Sequence, residues 1–292
     1  MLLLLALLQQ IDSTVPAERG QRLEVSSYAG DISVRSWNRN AVRVTADQEG
    51  RTRVEIDRSP GSITIRTVGH RGAPRMVDLV ITVPTWMPLD ISGVNTDVSV
   101  VGARGAVSVE TVQGDVDVDG GEGLVSLRSV QGSVALRGAK GRLEVHSVNE
   151  DVSVGNSSGE VTAETVNGDI TLRAVDASSV MSSSVNGELT YDGTIRNGGR
   201  YAFSTHNGDI TITVPEGSNA AVSVSTFNGE FASEFPVTLT ETRKGKRFNF
   251  TLGTGRAQMT LESFQGTIRL VRPGSSRDAR DRDHDRDRDD DG

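Results

Sequence analysis

Cysteine is absent from the 292-residue chain. That excludes disulfides, thiolate metal sites, a cysteine nucleophile and a lipidated cysteine anchor. Aromatic residues make up only 4% of the sequence. A globular enzyme of this length ordinarily fills a thick core with Phe, Tyr and Trp; here the apolar residues are Val, Leu, Ile and Ala, which suit a thin core of β-branched and aliphatic side chains. A basic stripe is also missing. The formal net charge is −8, and nothing offers the electrostatic footprint that a nucleic acid requires. No apolar run reaches the ~20 residues of a transmembrane helix. There is no Gly-x-x-x-x-Gly-Lys-Ser/Thr phosphate loop and no Ser, His and carboxylate at a triad spacing. The four histidines, His70, His146, His206 and His284, are scattered.

Glycine, by contrast, is abundant at 32 residues, and it marks a repeat anchored on a turn. With the Asn or Gln of the turn as position zero, copies fall at Asn95, Gln113, Gln131, Asn149, Asn167, Asn186, Asn207, Asn228 and Gln265, with gaps of 18, 18, 18, 18, 19, 21, 21 and 37 residues. An earlier copy puts Ala29 there, giving ten. Four apolar columns flank the turn: position −6 (Leu23, Val107, Tyr201), −4 (Val25, Val109, Phe203), +3 (Ile32, Val116, Ile210) and +5 (Val34, Val118, Ile212). The residues between these columns are mostly polar. Period-two alternation on both sides of a turn describes two short strands, each with one buried face. A second turn, VGARG, DGGEG, RGAKG or GNSSG in the regular copies, closes each unit, with Gly supplying the positive φ that tight turns need.

Two architectures fit this pattern. Each Asn-Gly can be a type I′ hairpin in an antiparallel meander, or each unit can be one coil of a solenoid whose strands stack in parallel on their copies. The constant spacing, the like residues in columns and the scarcity of aromatics favour the second. The expected fold is therefore all-β: a parallel β-solenoid (right-handed β-helix-like) of about ten coils of 18–21 residues. It spans 15–272, with an antiparallel strand excursion or cap over 35–88 and a hairpin or cap over 234–256 around Lys244-Gly245-Lys246. Caps are expected because exposed strand edges aggregate. Residues 1–14, opening MLLLLALLQQ, read as a signal-peptide-like segment, and the charged tail 273–292 as disordered.

The phrase VNGDITL after a strand, repeated every 18 to 21 residues, together with LEVSSYAGDISVRSW and VDLVITVPTWMPLDISGVN, resembles the bacterial domain-of-unknown-function family known as putative adhesin. The resemblance covers Glu18 to Arg272. Asn95-Thr96 and Asn149-Glu150 depart from its Asn-Gly pattern. It implies a β-helical, exported or envelope-associated protein.

Two columns hold the residues with chemistry. Position +2 is acidic: Asp31, Asp97, Asp115, Asp151, Asp169, Glu188, Asp209 and Glu230. Such a row can bind Ca²⁺ or cationic groups, or Asp can follow Gly because it suits turns and caps backbone N–H groups. Ser133 and Thr267 occupy the same column, which turn chemistry allows and a metal row does not. Position −2 is hydroxylic: Ser27, Thr111, Ser129, Ser147, Thr165, Ser184, Thr205, Thr226 and Ser263, and stacked hydroxyls can hydrogen-bond up a ladder. In the local cluster Asp115, Asp117, Asp119 and Glu122, alternation sends Asp115 and Asp117 to different environments. No catalytic, cofactor-binding or metal-ligating residue is assigned. The function expected is a non-enzymatic exported surface or envelope module, in the periplasm, on the outer membrane surface or outside the cell. Its partner is an envelope glycan or protein, not nucleic acid, and it has no transmembrane span. The alternative is a polysaccharide-active β-helix lyase or hydrolase, which rests on fold analogy alone; Lys is nearly absent from the repeat and Trp occurs only at Trp37 and Trp86.

Overall fold

The computed structural model describes residues 9–48, 52–69, 76–236 and 246–274. His70, His284, the Lys244-Gly245 pair and the tail from residue 275 lie outside the described residues. Among the described residues all regular structure is β, and the chain divides into two compact units, 1–152 and 153–292.

In both units each repeat is one coil. The strand before the turn joins one sheet and the strand after it joins another, and both pair in parallel with the equivalent strands of neighbouring coils. In unit 1 the register is that of the columns: Val107 pairs with Leu89 and Val125, and Val116 with Val98 and Val134. This excludes the meander, because strands flanking one turn do not pair with each other. The asparagines of the Asn-Gly corners also keep negative φ, whereas a type I′ hairpin needs positive φ.

The core lies between the two sheets. The −6, −4, +3 and +5 columns are buried, from Leu23, Val25, Ile32 and Val34 through Val107, Val109, Val116 and Val118 to Met259, Leu261, Ile268 and Leu270. In unit 2, Val161 and Ala163 hold the −6 and −4 columns and are buried. Where coils lengthen to 21 residues, the same columns carry Tyr191, Tyr201 and Phe203, also buried, with ring centroids of Tyr191 and Phe203 5.2 Å apart. The phenols need polar partners when buried, and the extra residues provide them. Tyr191 Oη donates to Thr194 O (2.7 Å), and Tyr201 Oη donates to Ala177 O (2.8 Å) while accepting from Arg196 N–H (2.7 Å).

The 35–88 excursion does more than cap. Ser62–Gly69 and Leu79–Pro84 pair in parallel with Arg22–Ala29 and Ile32–Trp37 and form an additional coil. The first coil by sequence is thus held between this one and the coil of Leu89–Asn95 and Val98–Ala103. Antiparallel strands then close unit 1: Thr52–Arg58 on Ser62–Gly69, and Ala41–Gln48 on Leu79–Pro84. Gln9–Pro16 pairs with Ala41–Gln48, so residues 9–14 of the expected signal-like segment lie in a strand.

Unit 2 repeats this device. The last coil, Ala257–Gln265 and Ile268–Val271, inserts between the coil of Arg200–Asn207 and that of Ala220–Thr226. Lys246–Leu252 closes the sheet antiparallel to Ala220–Thr226. The expected hairpin or cap is here an antiparallel edge strand; residues 237–245 lie outside the described ones.

Candidate functional site

The residues with chemistry gather at the turn edge of each coil. Consecutive corners approach so closely that a Cβ on Gly132 would lie 2.0 Å from Gly114 O, and one on Gly187 1.8 Å from Gly168 O. Glycine follows the turn residue for space, therefore, more than for a special φ.

The acidic column uses this proximity. Asp97 Oδ1 accepts from Asp115 N–H (2.9 Å), Asp115 Oδ1 from Ser133 N–H (2.7 Å), Asp169 Oδ1 from Glu188 N–H (2.8 Å) and Asp209 Oδ1 from Thr267 N–H (2.7 Å). Each carboxylate caps the corner of the next coil. Asp78 supplies the same contact from the additional coil, accepting from Asp31 N–H (2.9 Å). Asp31 stands between Asp78 and Asp97; partial desolvation, then these two charges, raise its carboxyl above the ordinary carboxylate value. Asp117 of the local cluster stands outside this column and pairs with Arg137 (2.6 Å). Among the described residues no group of three or more His, Asp or Glu is placed to hold a metal ion.

The hydroxyl column is buried and does not form a side-chain ladder. Several of the hydroxyls donate instead to the corner carbonyl of a neighbouring coil: Ser129 Oγ to Gly114 O (2.9 Å), Ser147 Oγ to Gly132 O (3.0 Å), Ser184 Oγ to Gly168 O (3.1 Å) and Ser263 Oγ to Gly208 O (3.1 Å), whereas Ser27 Oγ donates to Ala29 O of its own coil (3.3 Å) and Thr226 Oγ1 has no partner among the described residues. The inward direction of position −2 aims the hydroxyl at that carbonyl. One coil inverts the arrangement. It carries Gly93 at −2 and Thr96 at +1, and a Cβ on Gly93 would sit 2.6 Å from Thr96 Cβ; the threonine occupies the space that the hydroxyl fills elsewhere. The amides at position zero do form ladders, with Gln113 Nε2 donating to Gln131 Oε1, Asn186 Nδ2 to Asn167 Oδ1 and Asn207 Nδ2 to Asn186 Oδ1, all 2.8 Å.

One column escaped the sequence reading. Position −1 points outward by strand alternation, yet it is apolar. Tyr28, Val94, Val112, Val130 and Val148 in unit 1, and Val166, Val185, Phe264 and Phe227 in unit 2, are all exposed. The signal was an apolar residue at the outward phase in copy after copy. In unit 2 the column ends in stacked rings: His206 on Phe264 (centroids 4.6 Å, planes 6° apart) and Phe264 on Phe227 (4.9 Å, 4°). Phe227 is 59% exposed. Beside the rings lies a shallow groove of about 280 Å³ lined by Ser204, Ser225, Glu262, Phe227 and Phe264, with Thr205, Thr226 and Ser263 at its base. His146 stands apart, half-buried on an outward row.

The fold defines a β-solenoid in which, within each unit, coil corners stack and antiparallel strands cover a terminal coil. More particularly, the chain belongs to the Toastrack DUF4097 family, whose model matches residues 21–271. A search of the curated proteins gives no match. Solved structures with distant likeness include a putative lipid binding protein from Parabacteroides distasonis (9% identical, TM-score 0.45, covering 90% of this chain and 96% of that one) and a putative adhesin from Bacteroides fragilis (13%, TM-score 0.36, 90% and 97%). A third is a putative cell adhesion protein from Clostridium sporogenes (9%, TM-score 0.23, 90% and 100%). Among the described residues no helix is long and apolar enough to cross a membrane.

Proposed function

We propose that this protein is a non-enzymatic, exported module of the bacterial cell envelope that binds a glycan or a protein along its turn edge. The observation that carries this reading is the outward apolar column, repeated at position −1 and ending in the His206, Phe264 and Phe227 stack. Scattered exposed apolar residues are ordinary, but apolar residues aligned in a row beside polar ones are a feature of contact surfaces. The groove pairs ring edges with hydroxyls and the Glu262 carboxylate, a mixture suited to a ligand that offers both apolar faces and hydroxyl groups. The acidic and hydroxyl columns, which would otherwise suggest catalysis, are engaged in holding coil corners together.

The test is a binding screen of the protein against glycans and envelope fractions, with and without Ca²⁺, run in parallel on Phe227→Ser/Phe264→Ser. Binding by the parent that falls at least about tenfold in the double variant, the loss of ~1.4 kcal/mol, with an unchanged unfolding curve, supports the reading. Equal binding by both proteins removes the edge as the site. Glycan cleavage by the parent would favour the alternative, a polysaccharide-active enzyme.

A further inference from the structure

Five Asn-Gly pairs stand in the chain, at Asn167, Asn186, Asn197, Asn207 and Asn228. This dipeptide has intrinsic reactivity. The Gly nitrogen can attack the Asn Cγ, forming an N–Cγ bond. The Cγ–Nδ2 bond breaks, and ammonia leaves with the proton given up by the Gly nitrogen. Water then opens the resulting succinimide to aspartate or isoaspartate. The balance is one amide plus water to one carboxylic acid plus ammonia, with no oxidant or reductant. The reaction needs a Gly N–H free of hydrogen bonds and an Asn side chain free to turn.

The stacking of unit 2 withholds one or both at four of the five sites. Gly168 N–H donates to Asn186 O (3.0 Å), Gly187 N–H to Asn207 O (3.0 Å), Gly208 N–H to Gln265 O (2.9 Å) and Gly198 N–H to Arg256 O (3.1 Å). The side chains of Asn167, Asn186 and Asn207 are also tied into the amide ladder. Asn228 differs because the strand beyond Ala220–Thr226 is antiparallel, and among the described residues no further corner continues the ladders past its coil. Asn228 is exposed. Among the described residues nothing bonds its side chain or the N–H of Gly229. Lys246 Nζ donates to Gly229 O (3.2 Å), placing a positive charge near the nitrogen that must lose its proton and the oxyanion that must form.

We propose that Asn228 is a modification site, converting spontaneously to aspartate and isoaspartate while the other four Asn-Gly pairs stay amides in the folded protein. This is independent of the binding reading. The full chain is incubated in mildly alkaline buffer and followed over time by peptide mass spectrometry with isoaspartate detection. A parallel incubation in denaturing urea reports the intrinsic reactivities. Conversion at Asn228 should exceed that at each other site by about tenfold or more, because at those other sites the hydrogen bonds of the corner must first open. In urea the five rates should converge. Lys246→Met, which removes the charge, should slow Asn228 severalfold without altering the unfolding curve, and Asn228→Gln should abolish the signal. Faster conversion at Asn197 or a laddered site, equal rates at all five in the folded protein, or no conversion at Asn228 while the urea sample reacts would each overturn the proposal.

Discussion

At the scale of single residues, the closeness of the corners sets what each position tolerates. Gly187→Ala places a methyl group 1.8 Å from a backbone oxygen that cannot turn aside. Urea unfolding should therefore show a loss of ~1–3 kcal/mol, the range for an overpacked site. Gly61→Ala, where nothing lies within 4 Å, should stay within ~0.5 kcal/mol of the parent. Ala174 is the converse case. Its φ is +51°, and the equivalent positions hold Gly102, Gly120, Gly138 and Asn156, all with positive φ. A left-handed non-glycine residue costs ~1–2 kcal/mol, part of which glycine returns through its freedom in the unfolded chain, so Ala174→Gly should raise stability by up to ~1 kcal/mol in the same assay. Asp31 gives a pH signature. Its folded pKa lies above the ordinary value of 3.8, so the folded state holds the proton more tightly and stability falls as pH rises through that window. Asp31→Asn should be more stable than the parent at neutral pH, and the difference should close on acidification. Much of this was legible in the sequence, because Asp after Gly is a turn signature and Ser133 and Thr267 in the same column pointed away from a metal row. The donor that each carboxylate serves was not legible, since it belongs to a residue 18 or more positions away.

At the scale of the coil, the turn works as a set of interlocking positions. Ser and Gly at −2 and +1 alternate with Gly and Thr in the coil of Asn95, and the two solutions exclude each other sterically. Gly93→Ser alone should clash with Thr96, and Thr96→Gly alone should leave a void. Gly93→Ser/Thr96→Gly recreates the pairing seen at Ser129 and Gly132, so a double-mutant cycle by thermal unfolding should give a favourable coupling of ~0.5–3 kcal/mol, the range for residues in contact. Additive single effects would show that the two positions do not share space. The strands, the turns and the buried columns were all readable from period two, because register is what a period reports. The additional coil was not: Ser62–Gly69 and Leu79–Pro84 are separated by a segment that lacks the Asn-Gly phrase, and of the column chemistry it keeps only Thr67, beside Ser27, and Asp78 before Leu79.

At the scale of the whole molecule, both units close their stacks in the same way. A coil remote in sequence slides in beside the terminal one, and an antiparallel strand covers what remains, which answers the hazard of unpaired edges. Spatial order could not be read from the columns, because every coil presents the same apolar set and would pair equally well with any other. A chain ending at residue 256 should leave Arg200–Asn207 and Ala220–Thr226 each with an open edge, and light scattering should show concentration-dependent association that the full chain lacks; a monodisperse truncated protein would argue that these edges are otherwise protected. The inserted last coil has a consequence for biogenesis. A chain that emerges from its N-terminus first can lay down coil after coil, yet unit 2 must keep a gap open until the segment from Ala257 arrives. The finished stack is therefore a record that synthesis passed Val271, and a chain interrupted short of Ala257 keeps an unfilled slot between two strands.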